Sequence, residues 1–110
     1  MSRFFLGVFF TAAAMLASGV GQTADLEAAK KKVTEICQAC HAMDGNSQVP
    51  DYPKLAGQNQ DYLAKTLRDY KSGARKDPTM NGFAGTLTTQ DIDNLAAYFS
   101  SQPAVLQSRM

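Results

Sequence analysis

Cys37-Gln38-Ala39-Cys40-His41 sets two thiols three residues apart and follows them at once with the chain's one imidazole. On a helical turn the two sulfurs project toward the same side, with the histidine ring next to them. That order of residues suits covalent attachment of a porphyrin. The thiols form thioethers with its two vinyl groups, and the imidazole takes its iron. Other readings of a Cys-x-x-Cys pair fit less well. A closed zinc site needs four Cys or His ligands, and the chain holds two cysteines and one histidine. A thioredoxin-like redox pair needs a βαβ context, and no alternating strand-like run flanks the motif. A plain disulfide in an oxidising compartment stays open.

Upstream of the motif, Arg3 precedes an apolar run from Phe4 to Val20, and small residues lead through Gly21-Gln22-Thr23-Ala24 to the first charged segment at Asp25. This has the form of a secretory signal peptide over 1–24, with cleavage expected after Ala24, although no clean Ala-x-Ala marks the bond. The run also reaches the lower limit of a spanning helix, so an uncleaved membrane anchor is the alternative. Either reading implies export, to the periplasm if the leader is removed. The mature chain, 25–110, suffices for one domain and is too short for two. A domain of that size buries only about 60–65% of the surface its unfolded chain exposes, so a flat apolar cofactor at its centre would supply missing core. Arg3 is the leader's one charged residue, and without it acidic and basic groups balance. Nucleic-acid binding has no support in that balance.

The mature chain reads as helices separated by long loops. Leu26, Ala29, Val33 and Ile36 recur at helical spacing, which predicts an amphipathic helix from Asp25 or Leu26 to about Cys37 that delivers the motif. Lys30-Lys31-Lys32 is then its solvated face, with partner docking as a lesser reading. From Ala42 to Gln58 the chain is rich in Gly, Pro, Asn and Asp and is expected to be a loop wrapping the site. A second helix is expected from Asn59 or Gln60 to Ser72, stopped by Gly73. Ala74 to Thr86 is expected to be another loop. The last helix carries the strongest signals: Thr88 as cap, Asp91 at its third position, Leu87 and Ile92 as a hydrophobic staple, and Pro103 beyond its end. Ile92, Leu95, Ala96 and Phe99 mark its apolar face. Three or four short helices around a cofactor, without a sheet, is the expected all-α architecture.

With His41 committed to iron, a six-coordinate centre must take its other ligand from Met, or less readily from Lys or Tyr. Met1 and Met15 leave with the signal, Met43 lies two residues past the histidine, and Met110 ends a tail. Met80 remains, in Asp77-Pro78-Thr79-Met80-Asn81-Gly82, where a loop could arch over the porphyrin. A loop methionine that merely fills a gap is the competing reading.

The ordered series Cys37-x-x-Cys40-His41, Asp44-Gly45-Asn46, Pro53-Lys54-Leu55-Ala56-Gly57-Gln58, Tyr62-Leu63, Gly73-x-Arg75, Met80, Leu87-Thr88, Asp91-Ile92 and Leu95-Ala96-Ala97-Tyr98 resembles the class I monohaem c-type cytochromes. It is most similar to the small exported bacterial kind called c-553, c-four and c-five. The resemblance covers essentially all of the mature chain. It implies the class I cytochrome c fold, a cytochrome c domain over 25–110, one haem c held through Cys37 and Cys40, and His41 and Met80 as axial ligands. It also implies that the Pro-x-Leu-x-Gly segment lies against the histidine side of the haem, with Pro53 accepting the other ring proton of His41 and Leu55 in the pocket wall; a plain loop proline is the alternative for Pro53, and Pro50 is close by. Arg75 is a candidate partner for a haem propionate, with a solvated arginine as the alternative. Tyr52, Leu63, Leu67, Phe83, Leu87 and Ile92 read as pocket wall or core. Two departures stand out: Ala28 and Ala29 occupy the first helix where a Gly is often found, and Ala42 follows the histidine where Gly is common.

A haem with both axial positions filled has no place for a substrate, which leaves one-electron transfer, and no free histidine or cysteine remains for acid–base or nucleophilic work. The expectation is a carrier and not an enzyme, monomeric, exchanging electrons with redox protein donors and acceptors through weak transient contacts, membrane complexes included. A permanently bound haem subunit of an exported oxidoreductase complex is the second reading. A gas-binding or peroxidatic haem protein is the third, open only if Met80 leaves the iron.

Overall fold

The computed structural model describes Gly7 and residues 23–106, so most of the expected leader, and Met110, lie outside the described residues. Among the described residues the elements are helical, with no strand. Helix α1 spans Leu26–Lys32 and α2 spans Gln38–His41, and a π-helical turn, Val33–Cys37, joins them into one rod. Helices α3 (Gln60–Ser72), α4 (Pro78–Gly85) and α5 (Thr89–Ser100) follow.

Each rod begins where a polar side chain satisfies an orphan amide. Asp25 accepts from the Ala28 amide, Asn59 from Tyr62 and Thr88 from Asp91. At Thr88 the box is complete, since the Asp91 carboxylate in turn accepts the Thr88 amide. Gly73 closes α3 in the left-handed conformation, as expected from its position. The first rod runs four residues beyond the expected Cys37, because the π turn lets the helix continue through the motif instead of ending at it.

The segment 74–86 departs from expectation. It is not a continuous loop: Pro78–Gly85 is helical. The Asp77 carboxylate caps it by accepting the Met80 amide at 3.1 Å, and Pro78 sits in its first turn, where the missing N–H costs nothing. Two glycines and an Asn inside eight residues hide this helix from propensity. Tertiary bonds supply what propensity lacks. Asn81 Nδ2 donates to the carbonyls of Tyr70 and Arg75, both at 2.8 Å, and Lys71 Nζ donates to the carbonyls of Gly85 and Leu87.

Helix α5 is the hub, with α1 and α3 packed on it and α4 packed on α3. The core comprises Ala29 and Val33 from the first rod, Leu63 and Ala64 from α3, Leu87, and Ile92, Leu95, Ala96 and Phe99 from α5. The staple residues Leu87 and Ile92 are both buried in it. Ala29 is fully shielded where α1 meets α5, so alanine is small enough for that crossing. Each of Ile92, Leu95 and Phe99 contributes about 1.5–3 kcal/mol by burial. Only small side chains and one valine reach the core from the first rod's amino half, and Ile36 and Cys37 are left half-buried beside a cleft.

Candidate haem site

The cleft has a volume of about 270 Å³ and opens between the first rod, the loop 42–59 and helices α3 and α4. Cys37, Cys40, His41, Pro53, Leu55, Arg75 and Met80, drawn from four stretches of sequence, all line it.

His41 enters from the end of α2 and is 7% exposed. Its Nδ1 lies 2.8 Å from the Pro53 carbonyl oxygen. A carbonyl only accepts, so Nδ1 carries the proton and Nε2 keeps its lone pair free to ligate. Pro53 is held in place because loop 42–59 folds back on itself: the Gly45 carbonyl accepts the amides of Leu55 at 2.8 Å and Ala56 at 3.2 Å. Tyr52 stands edge-on to the imidazole, with ring centres 6.4 Å apart.

The two cysteines are half-buried and not bonded to each other. Burial pushes the Cys37 thiol up to about 11, against the pull of Lys32. Among the described residues no cluster of three or more His, Cys, Asp or Glu side chains is placed to hold a bare metal ion.

Met80 reaches the cleft from α4, the helix anchored by Asp77, Asn81 and Lys71. Phe83 and Leu87 continue that wall, and Leu63 and Leu67 of α3 form its floor. The Arg75 guanidinium lies 5.2 Å from the centre of the Tyr70 ring, and Nη1 faces the Tyr62 hydroxyl at 3.5 Å. That contact lowers the Tyr62 phenol and raises Arg75.

Tyr52, Tyr62 and Phe83, three large aromatic side chains on the cleft wall, are 40%, 51% and 39% exposed. Aromatic surface left in water around an apolar, open-sided cleft is unfavourable, and a flat apolar group seated there would cover it. The donor set agrees: a free imidazole nitrogen, a thioether and two thiols are what a covalently attached iron porphyrin uses. The residues therefore fit a haem. Sequence reasoning missed the supporting residues Asn81 and Lys71. The signal for the first was an Asn four residues after a capping Asp, and for the second there was none, because its carbonyl partners lie in a distant turn.

A helical rod ending in Cys-x-x-Cys-His beside such a cleft defines a small haem-attachment domain. The family profile described as Cytochrome c matches residues 26–103, and the chain belongs to that family. Cytochrome c4 of Stutzerimonas stutzeri is 47% identical over 87 residues, 71% of this chain and 41% of that one. A thiosulfate dehydrogenase electron acceptor of the same species is 33% identical over 98 residues, 84% of this chain and 45% of that one. The crystal structure of reduced recombinant cytochrome c4 from Pseudomonas stutzeri superposes with a TM-score of 0.70 at 44% identity, covering 76% of this chain and 48% of that one. The chain thus spans about two fifths of the length of the cytochrome c4 relatives it matches. The all-α class I cytochrome c fold is that of the family, and its cofactor is a c-type haem joined covalently through Cys37 and Cys40.

Proposed function

We propose that this protein is a one-electron carrier whose haem iron is ligated by His41 and Met80. The observation that carries the reading is the convergence on one cleft of a histidine with Nε2 free and a methionine mounted on a capped, tertiary-anchored helix. Bound there, the haem supplies a reversible one-electron couple, with methionine sulfur raising its potential over bis-nitrogen ligation. The chain's own part is to orient and to exclude. Pro53 fixes the tautomer and plane of His41, Leu55, Leu63 and Leu67 keep water from the iron, and Arg75 compensates a propionate. With His41 and Met80 both holding the iron, no substrate would reach the metal, which makes the chain a carrier and not an enzyme.

Donors and acceptors are redox proteins met in transient contacts, with the haem-carrying subunit of a larger oxidoreductase as the second reading. The name of the relative from Stutzerimonas, an electron acceptor of a dehydrogenase, supports the carrier. Export to the periplasm, with cleavage after Ala24, follows from the form of the leader. Among the described residues no helix is long and apolar enough to cross a membrane.

Carbon monoxide tests the proposal. The reduced parent protein is expected not to bind it at neutral pH and Met80→Ala to bind it readily. Ready binding by the parent would sink the carrier reading in favour of a gas-binding or peroxidatic protein. Gel filtration of the native extract separates a monomeric shuttle from a complex subunit, and intact mass reports the cleavage site.

A further inference from the structure

Beyond α5 the described residues stay on the domain. Residues 103–105 run back across loop 42–59, and the side chain of Asn46 bonds to them twice. Asn46 is 3% exposed. Its Nδ2 donates to the Pro103 carbonyl at 2.9 Å and to the Asp44 carboxylate at 3.0 Å, and its Oδ1 accepts the Val105 amide at 2.8 Å. One carboxamide thus pairs with both an N–H and a C=O of the strap, as the edge of a strand would. Two more contacts follow the same seam. Lys54 Nζ donates to the Val105 carbonyl at 3.0 Å, and a Cβ on Gly57 would stand 3.2 Å from the Ala104 Cβ. The Gly57 amide donates to the Phe99 carbonyl at 3.0 Å, so strap, loop and α5 close into one ring.

The loop held in this way is the one that presents Pro53 to His41. Lys54, bonded to the strap, is the next residue in sequence, and Gly45, beside Asn46, accepts the amides that fold the loop back. We propose that Asn46 is a positioning residue: by clamping the carboxy-terminal strap onto loop 42–59 it holds the Pro53 carbonyl on Nδ1 of His41. Asn46 touches neither the imidazole nor the cleft, and acts through backbone. The amide is fully satisfied, so its burial costs little, but losing the strap would leave its own buried Nδ2 and Oδ1 short of partners. The consequence for the iron rests on the proposed ligation by His41. A ring whose Nδ1 proton is firmly accepted is a stronger donor and favours the oxidised metal.

The test is NMR and potentiometry on the haem-loaded full chain. In Asn46→Ala the Nδ1 proton of His41 is expected to exchange with solvent about tenfold faster than in the parent, the equivalent of losing one good hydrogen bond. The reduction potential is expected to rise. A chain ending at Gln102 removes the strap with Asn46 intact and is expected to behave the same way, which keeps the test open if the point variant does not fold. Asn46→Asp retains the acceptor for Val105 but faces the Pro103 carbonyl with an oxygen, and is expected to follow Asn46→Ala. Gln48→Ala, which removes only a bond to the Asn46 backbone carbonyl, is expected to match the parent. Lower stability in Asn46→Ala and in the truncated chain, with Nδ1 exchange and potential both at parent values, would overturn the proposal. The parent's absorption spectrum reports ligation by His41 separately. If that ligation fails, exchange of the Nδ1 proton still decides the role of Asn46.

Discussion

Gly45 and Phe99 approach so closely that a Cβ on Gly45 would stand 2.8 Å from Cδ1 of Phe99. The same added atom would stand 2.8 Å from the Ala56 nitrogen, and Gly45 already has φ +77°. At Gly45 loop 42–59 therefore meets the Phe99 ring through backbone. Gly45→Ala is expected to destabilise the haem-loaded protein by about 1–3 kcal/mol, read as a drop in the unfolding midpoint. An unchanged midpoint would mean that the loop does not pack as described.

Ala42 presents the opposite case. Directly after His41 it adopts φ 65° and ψ 162°, a region that residues with a Cβ enter only at a cost of about 1–3 kcal/mol. Ala42→Gly is expected to raise stability by about 1 kcal/mol without changing the absorption spectrum, as measured by denaturant unfolding.

The mount of Met80 is open to test through its cap. Asp77→Ala removes the acceptor for the Met80 amide and is expected to cost about 0.5–2 kcal/mol. Because the lost bond lies at the residue proposed to reach the iron, the variant is also expected to admit carbon monoxide faster than the parent. Equal rates of carbon monoxide binding would separate the cap from the ligand.

Tyr98 ties α5 to the turn after the motif, its hydroxyl donating to the Met43 carbonyl at 2.7 Å. Burial, helped by the Asp44 carboxylate, raises this phenol above its ordinary value. In the unfolded chain it ionises near pH 10, whereas the native state keeps the proton longer. Between those two values the unfolded state binds fewer protons, so the contribution to stability is whole below about pH 10 and is lost as pH rises through the folded value. Tyr98→Phe is expected to lose about 0.5–1.5 kcal/mol at neutral pH and to show a shallower fall in stability on the alkaline side.

Replacing Cys37 and Cys40 together by alanine is expected to abolish covalent haem, read as loss of haem-associated colour from the denatured, electrophoresed polypeptide. Recovery of stably linked haem in that variant would contradict the assignment of the thioethers.

What could be read from the sequence was whatever local chemistry controls. Thr88 with Asp91, Asn59 before α3 and Gly73 after it mark helix ends by bonds within four residues, and all three lie where expected. The seven candidate site residues come together because the order of the motifs carries their placement. Helix α4 was hidden because its stability comes from Asn81 and Lys71 bonding to carbonyls of other segments, contacts that leave no periodicity. The role of Asn46 was hidden for the same reason, its partners being 57 and 59 residues away.

The π turn at Val33–Cys37 sets the phase of everything after it. The Gln38 amide there bonds to the Val33 carbonyl, five residues back, so the rod holds one residue more than regular winding allows. Each residue of an α-helix advances its face by about 100°. Deleting one residue between Val33 and Cys37 would let the rod relax to regular pitch, with Ala29 and Val33 still seated on α5. Inserting one into a regular rod would swing both sulfurs and the imidazole away from the cleft. The wide turn thus absorbs the surplus residue as a vernier would, so that one continuous helix serves the core with its first half and the cleft with its second.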